Sequence, residues 1–330
     1  MSRQLNITLG SQPEHGLAAL SRNSLSMLRG KKLVLYRGGQ EEQPLAGWSG
    51  AAGLRPLPIM ASGERRPVAS IDSSVIQVGE TDDGSVFAAK ATTAYNLGGR
   101  RKAEVFGPSI YYVGESTVDG IASFLGRDLP KKVLSRDGAL AMRMLRVILE
   151  RTLAMKASRE LQGGLLALDG SLRQSFFEPA SCTLRSVEAE CARRGTQLVG
   201  VTKNTKVRQL QKMEGALYAV QEPSYVDATE VARMVSIDTL GRTYMARLAA
   251  DGVPLRIDAA GPEALGWLLA GDTVVRGYPE TLRAAHVLSI FSPAEEASAK
   301  GRLMATEGTE VLPSFNVRRA LLGTLGGSGQ

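Results

Sequence analysis

The sequence predicts an α/β protein whose mixed central sheet begins with three antiparallel strands and is flanked by helices. Three observations carry this prediction. Val68–Val78 and Val86–Tyr95 are rich in β-branched residues, and the Asp82-Asp83-Gly84 turn between them makes a hairpin. From Asp137 to Leu161, Leu140, Met144, Leu145, Ile148, Leu149 and Leu153 recur at spacings of three and four, the period of a helix with one buried stripe. Beyond it, Leu165–Leu168 is short and wholly apolar, as a strand covered on both faces would be, and helical and strand patterns alternate after it.

Residues 1–66 are loop-rich, with Gly38-Gly39 and a Gly50 to Gly53 stretch, and read as an N-terminal arm or interface segment. Within them the pattern allows a helix around Leu17–Leu28 and a strand at Lys32–Tyr36. The main domain runs over 67–310. After its first two strands come the basic Gly98–Lys102 loop and a third strand at Val105–Val113. Past the long helix, Leu184–Arg194 (helix), Gln197–Val201 (strand) and Val207–Gly215 (helix) follow one another as βα units do. Tyr244–Ala249 and Pro254–Ile257 form a hairpin around Asp251-Gly252, and helices are expected at Pro262–Ala270 and Pro279–Ser292. The tail, 311–330, ends in a Gly-rich stretch that should fray.

Composition narrows the function. A hydrophobic share of 43% supports a real core, and no run of about 18 uncharged apolar residues exists to span a membrane. The N-terminus lacks the apolar stretch of a secretory signal, and two cysteines, Cys182 and Cys191, make no disulfide framework; a reduced, cytoplasmic setting is expected. The net charge of +7 is compatible with a polyanionic partner. Arg100, Arg101 and Lys102 form the basic run best placed to meet phosphates, although such runs are more often simply solvated. With only two histidines, His15 and His286, the sequence argues against a zinc site rich in His and Cys, so a bound metal must rest on carboxylates, which points to Mn²⁺ or Mg²⁺.

Four residues are candidates for such chemistry. Asp72 interrupts the apolar strand VASIDSSVIQV, where a carboxylate is costly unless paired or metal-bound. Asp169 ends the strand LLALD, and ligands collect at the carboxyl ends of strands in open α/β sheets, although Asp-Gly is also ordinary turn chemistry. Glu150 follows Ile148-Leu149 in the long helix, beside the apolar stripe; Glu160 in the same helix is its rival. His286 shares a helical face with Leu282, Ala285 and Ile290 and should point inward, as a core residue, a ligand or a proton shuttle. Carboxylates on separate elements suit phosphodiester cleavage, because paired divalent ions about 4 Å apart clamp the attacking and leaving oxygens.

The segments IDSS at 71–74, LLALDGSL at 165–172, VGVTKNTK at 199–206, LRID at 255–258 and GYPETLRAAHVLSIFS at 277–292 resemble, in this order, the blocks of NurA nucleases over about residues 67–292. Ser73 stands where that family more often has Gly. The resemblance implies an RNase H-like core with Asp72, Glu150, Asp169 and His286 as the metal-binding and catalytic set, served by one or two Mn²⁺ or Mg²⁺ ions. It further implies a catalytic Lys203 that stabilises phosphate charge, with Lys203 and Lys206 touching DNA, while Arg256 and Asp258 are either a structural pair or part of the site. It implies 5′–3′ exonuclease and single-strand endonuclease activity in DNA end resection and repair, a homodimer, and a HerA-type hexameric ATPase partner. The chain holds no G-x-x-x-x-G-K-[ST] loop, so ATP-driven translocation would have to come from elsewhere. A non-catalytic DNA-binding adaptor of the translocase, or an actin-like or sugar-kinase-type ATPase fold, would carry several of the same motifs.

Overall fold

Residue patterning that alternates along the strands puts two apolar faces on one sheet, and helices cover both. The computed structural model describes residues 6–9, 15–30, 32–35 and 55–312, apart from 204, 206, 236, 307 and 309. Lys206 and the tail beyond 312 lie outside the described residues. In chain order the N-terminal elements are β1 (Asn6–Leu9), α1 (His15–Ser26), β2 (Lys32–Leu35) and β3 (Leu57–Pro58). The main body follows with β4 (Val68–Glu80), β5 (Gly84–Leu97), β6 (Arg100–Gly114), α2 (Val118–Leu125), α3 (Lys131–Arg136) and α4 (Gly138–Glu160). Next come β7 (Leu165–Asp169), α5 (Leu184–Arg193), β8 (Gln197–Thr202), α6 (Arg208–Gln211), α7 (Glu214–Tyr218), β9 (Ser224–Asp227) and α8 (Thr229–Met234). The chain closes with β10 (Arg242–Arg247), β11 (Leu255–Ala259), α9 (Glu263–Gly271), β12 (Val274–Val275), β13 (Tyr278–Pro279), α10 (Glu280–Ser289), α11 (Pro293–Met304) and β14 (Glu310–Leu312).

The main sheet has the order β1-β6-β5-β4-β7-β8-β11-β10-β9-β3. β4, β5 and β6 are antiparallel neighbours, whereas β4, β7 and β8 run parallel. A mixed sheet flanked by helices is what the patterning required. The arm expected at 1–66 is woven into this sheet: β1 pairs with β6, β2 with β4, and β3 with β9.

On one face of the sheet, Val68, Leu165, Ala167, Val199 and Val201 pack with Leu265 and Leu282 from α9 and α10. On the other, Ile71, Leu166 and Leu168 pack with Ala154 of α4 and Leu184 and Val187 of α5. Each face therefore has its own core, and successive β4 side chains alternate between them. The long helix forms where its period put it, started by Asp137, whose carboxylate accepts from the Leu140 N–H at 2.9 Å. Cys182 and Cys191 are buried free thiols among these apolar residues.

The structure corrects two helices. The one expected over Val207–Gly215 is two short helices, α6 and α7, separated by a turn in which the Met213 N–H donates to the Leu210 carbonyl. Breaking there lets Leu210, Met213 and Leu217 all reach the cluster around Met245. The helix expected over Pro279–Ser292 stops at Ser289 and restarts as α11, because Ser292 and Glu295 cap each other's backbone and Pro293 takes the first position.

Candidate metal centre

β4 is much longer than the parallel neighbour β7. Their pairing covers only Val68–Ile71, and β2 rejoins the same edge at Gly79 and Glu80. Between these, that edge of β4 has no strand beside it among the described residues, while β5 lines the other edge throughout. There a cleft of about 310 Å³ opens, walled by Met142 and Arg146 of α4 on one side and His286, Ser289 and Ile290 on the other. Asp72 is the first β4 residue beyond the pairing, and Asp169 is the last of β7, so register alone places them side by side.

Both carboxylates face α10. His286 Nδ1 lies 2.6 Å from Asp72 Oδ2 and 3.8 Å from Asp169 Oδ2. Asp72, Asp169 and His286 each offer a ligand atom, all within 4.8 Å of one another. Neighbours hold these groups in place. The Ser73 N–H donates to Asp72 Oδ1 at 2.7 Å, and Lys203 Nζ, stationed at the end of β8, donates to Asp169 Oδ2 at 2.7 Å. The Lys203 ammonium also sits 5.0 Å over the Tyr278 ring. Burial first, and then the Asp72 carboxylate, push the Asp169 carboxyl above the usual range against the pull of Lys203. Burial and the Asp169 charge likewise push the Tyr278 phenol up.

The other sequence candidates fall in different places. His286 does not point into the core: its side chain is 46% exposed and opens into the cleft, and Ile290, grouped with it by periodicity, is 49% exposed. The helix lies over the open end of the sheet, so only its Leu282 and Ala285 flank is dry. Glu150 reaches β4 from the opposite face, where its carboxylate accepts from Ser73 Oγ at 2.7 Å; it is not among the three converging ligands. Burial raises its carboxyl, and Arg146 and Ser73 pull it back. Glu160 is ten residues further along α4, about 15 Å by helical rise, and accepts from the Tyr95 hydroxyl instead. Arg101 contacts Thr273 and Glu280, Lys102 pairs with Glu104, and Arg100 is exposed. These three residues, expected in a loop, begin strand β6, about four residues along the strands from Asp72 and two strands across, so they are not brought to the acids. Arg256 and Asp258 form a buried bidentate pair at 3.1 and 3.0 Å.

Sequence reasoning missed Ser73 as a bridge between Asp72 and Glu150, Ser289 beside Asp72, and Arg146 on the cleft wall. A signal existed for the last, since Met142, Arg146 and Glu150 recur every four residues along one helical stripe.

One glycine positions the loop behind Asp169. A Cβ at Gly200 on β8 would sit 2.7 Å from the Gly170 carbonyl oxygen and 2.9 Å from the Leu172 nitrogen. Gly200→Ala should therefore push that loop away, costing about 1–3 kcal/mol and weakening divalent-cation binding. Thermal melts with and without Mn²⁺ measure both effects; an unchanged Mn²⁺ response would mean the loop does not position Asp169.

The fold and the cluster define an α/β protein with a candidate carboxylate–imidazole cation site in an open cleft at a strand end. The NurA domain model matches residues 66–289, and the chain belongs to the NurA family. The structure of the NurA nuclease from Sulfolobus solfataricus covers 76% of this chain and 86% of its own, at 14% identity and a TM-score of 0.51. A structure of NurA bound to dAMP and manganese covers 73% and 88%, at 11% identity and a TM-score of 0.43. No curated protein sequence matches the chain.

Proposed function

We propose that this protein is a divalent-cation-dependent DNA nuclease, with Asp72, Asp169 and His286 holding the cation. The observation that carries the reading is the convergence of these three groups, from three separate elements, within 4.8 Å in an open cleft. Family membership supports it. The donors fit such an ion: two carboxylates with one imidazole suit Mn²⁺ or Mg²⁺, and the raised Asp169 carboxyl marks a negative charge crowded by its neighbour. Once bound, the cation supplies neutralisation of phosphate charge and activation of water.

The chain's own groups have separate tasks. Ser73 and His286 fix the Asp72 carboxylate, and Lys203, already on Asp169, stands ready to meet a substrate phosphate. Glu150 is the third carboxylate of the set and would serve a second ion. The strand order β6-β5-β4-β7-β8, with the last three parallel, supports reading the core as RNase H-like. The family further suggests end resection with a HerA-type hexameric ATPase, a homodimer and a cytoplasmic location, with exonuclease and single-strand endonuclease modes. Among the described residues no helix is long and apolar enough to cross a membrane.

Incubation of the purified chain with end-labelled single- and double-stranded DNA tests the reading. Cleavage should require Mn²⁺ or Mg²⁺, stop on EDTA, and survive Glu160→Gln while Glu150→Gln impairs it. DNA bound but left whole under every condition would favour an adaptor subunit, and ATP hydrolysis without DNA would favour a kinase-like reading.

A further inference from the structure

We infer that Arg146 is a substrate-phosphate-binding residue on the α4 wall of the cleft, held by Glu150 until a nucleic-acid strand arrives. The inference rests on the nuclease reading and adds a residue to it.

Among the described residues lining the cleft, Arg146 is the only arginine or lysine. Other cations nearby already donate hydrogen bonds. Lys203 donates to Asp169, Arg151 to Glu178 at 3.0 Å, and Lys90 to Glu295 and the Ile290 carbonyl. Arg146 differs. Its side chain is 48% exposed, and its nearest carboxylate contact, Nη2 to Glu150 Oε1, is 3.6 Å, too long for a hydrogen bond. The guanidinium therefore keeps its donor fork unspent while facing the cleft.

Helix stabilisation does not explain this arrangement. An ion pair of this length to a half-exposed guanidinium is weak as a helix contact, and the order is the weaker one, with the cation N-terminal to the acid on the same helix. A phosphate explains it better. Any phosphodiester that approaches Asp72 and Asp169 meets their negative charge, and a guanidinium on the facing wall offsets that repulsion with two parallel N–H donors. Glu150 keeps the fork near the cleft, while its own carboxylate accepts the stronger bond from Ser73 Oγ. When Arg146 turns to a phosphate, Glu150 keeps that bond from Ser73.

Binding of a fluorescein-labelled single-stranded oligonucleotide in EDTA, across a salt series, tests this without relying on turnover. Arg146→Ala should weaken binding about tenfold, the equivalent of one charge-assisted contact. It should also make the plot of log affinity against log salt shallower by about 0.7, the loss of one phosphate contact on a single strand. Arg146→Lys keeps the charge without the fork, so the salt slope should hold while affinity falls partway. In Mn²⁺, Arg146→Ala should raise KM more than it lowers kcat. Arg146→Ala with wild-type affinity and salt slope overturns the inference and leaves the nuclease reading standing. Wild-type protein that neither binds nor cuts the oligonucleotide overturns both.

Discussion

Asp72→Ala and Asp169→Ala should each lower cation-dependent DNA cleavage by about a thousandfold, the loss expected when roughly 4 kcal/mol of charge stabilisation is removed at the reacting phosphate. At Asp169 the effect on stability in the absence of cation should be opposite. Burial and the neighbouring Asp72 charge raise the Asp169 carboxyl in the folded protein above its ordinary value of 3.8. A group raised in this way leaves stability intact below its unfolded value and withdraws it as pH climbs through the folded one. Asp169→Asn should therefore melt higher than the wild type at pH 7 in EDTA, with the difference vanishing toward pH 3.8 and below. Mn²⁺ at about a hundred times its Kd should add roughly 2.7 kcal/mol to the wild type and nothing to the variant. Calorimetry at pH 4 and pH 7, with Mn²⁺ and with EDTA, reads all of this. If Asp169→Asn melts lower than the wild type in EDTA at pH 7, the acids are a structural pair and not a cation site.

The second large effect lies behind the site. Asp258 is fully buried and accepts four hydrogen bonds: two from Arg256, one from Thr243 Oγ1 at 2.9 Å and one from the Leu172 N–H at 3.1 Å. Burial pushes its carboxyl up, with Arg256 opposing. Leu172 is three residues past Asp169, so Asp258 ties the loop that follows Asp169 to the neighbouring hairpin. Asp258→Ala strands the Arg256 charge and a backbone donor in the core, and should cost about 3–5 kcal/mol. The thermal midpoint should drop on the order of 10 °C, and cation affinity should fall with it. Replacing Arg256 by Met together with Asp258 by Leu removes both charges but leaves the Leu172 N–H unpaired, so the double variant should recover only part of the loss. Full recovery would show that Asp258 does not anchor the loop.

Much of this fold was legible because its causes are local. The DDG hairpin, the four-residue stripe of α4, the apolar LLAL strand and the hairpin at Asp251-Gly252 each follow from short-range chain chemistry. The capping pair at Ser292 and Glu295 was equally local and marks a helix start that a single long helical pattern hid. The broken helix after β8 was different, since burial against Met245, more than thirty residues away, decides where it bends.

The sequence by itself singled out the candidate groups: carboxylates at Asp72 and Asp169, each within an otherwise uncharged stretch of strand, and an imidazole at His286 on a half-apolar helix. Only the tertiary structure decided that these three meet while Glu150 contacts β4 from the opposite face through Ser73, and that Arg146 lines the same cleft. The physical reason is register. Strand alternation fixes two possible faces for each side chain, but the face turned toward a given helix, and the point where β7 ends beside a longer β4, depend on pairing between segments nearly a hundred residues apart.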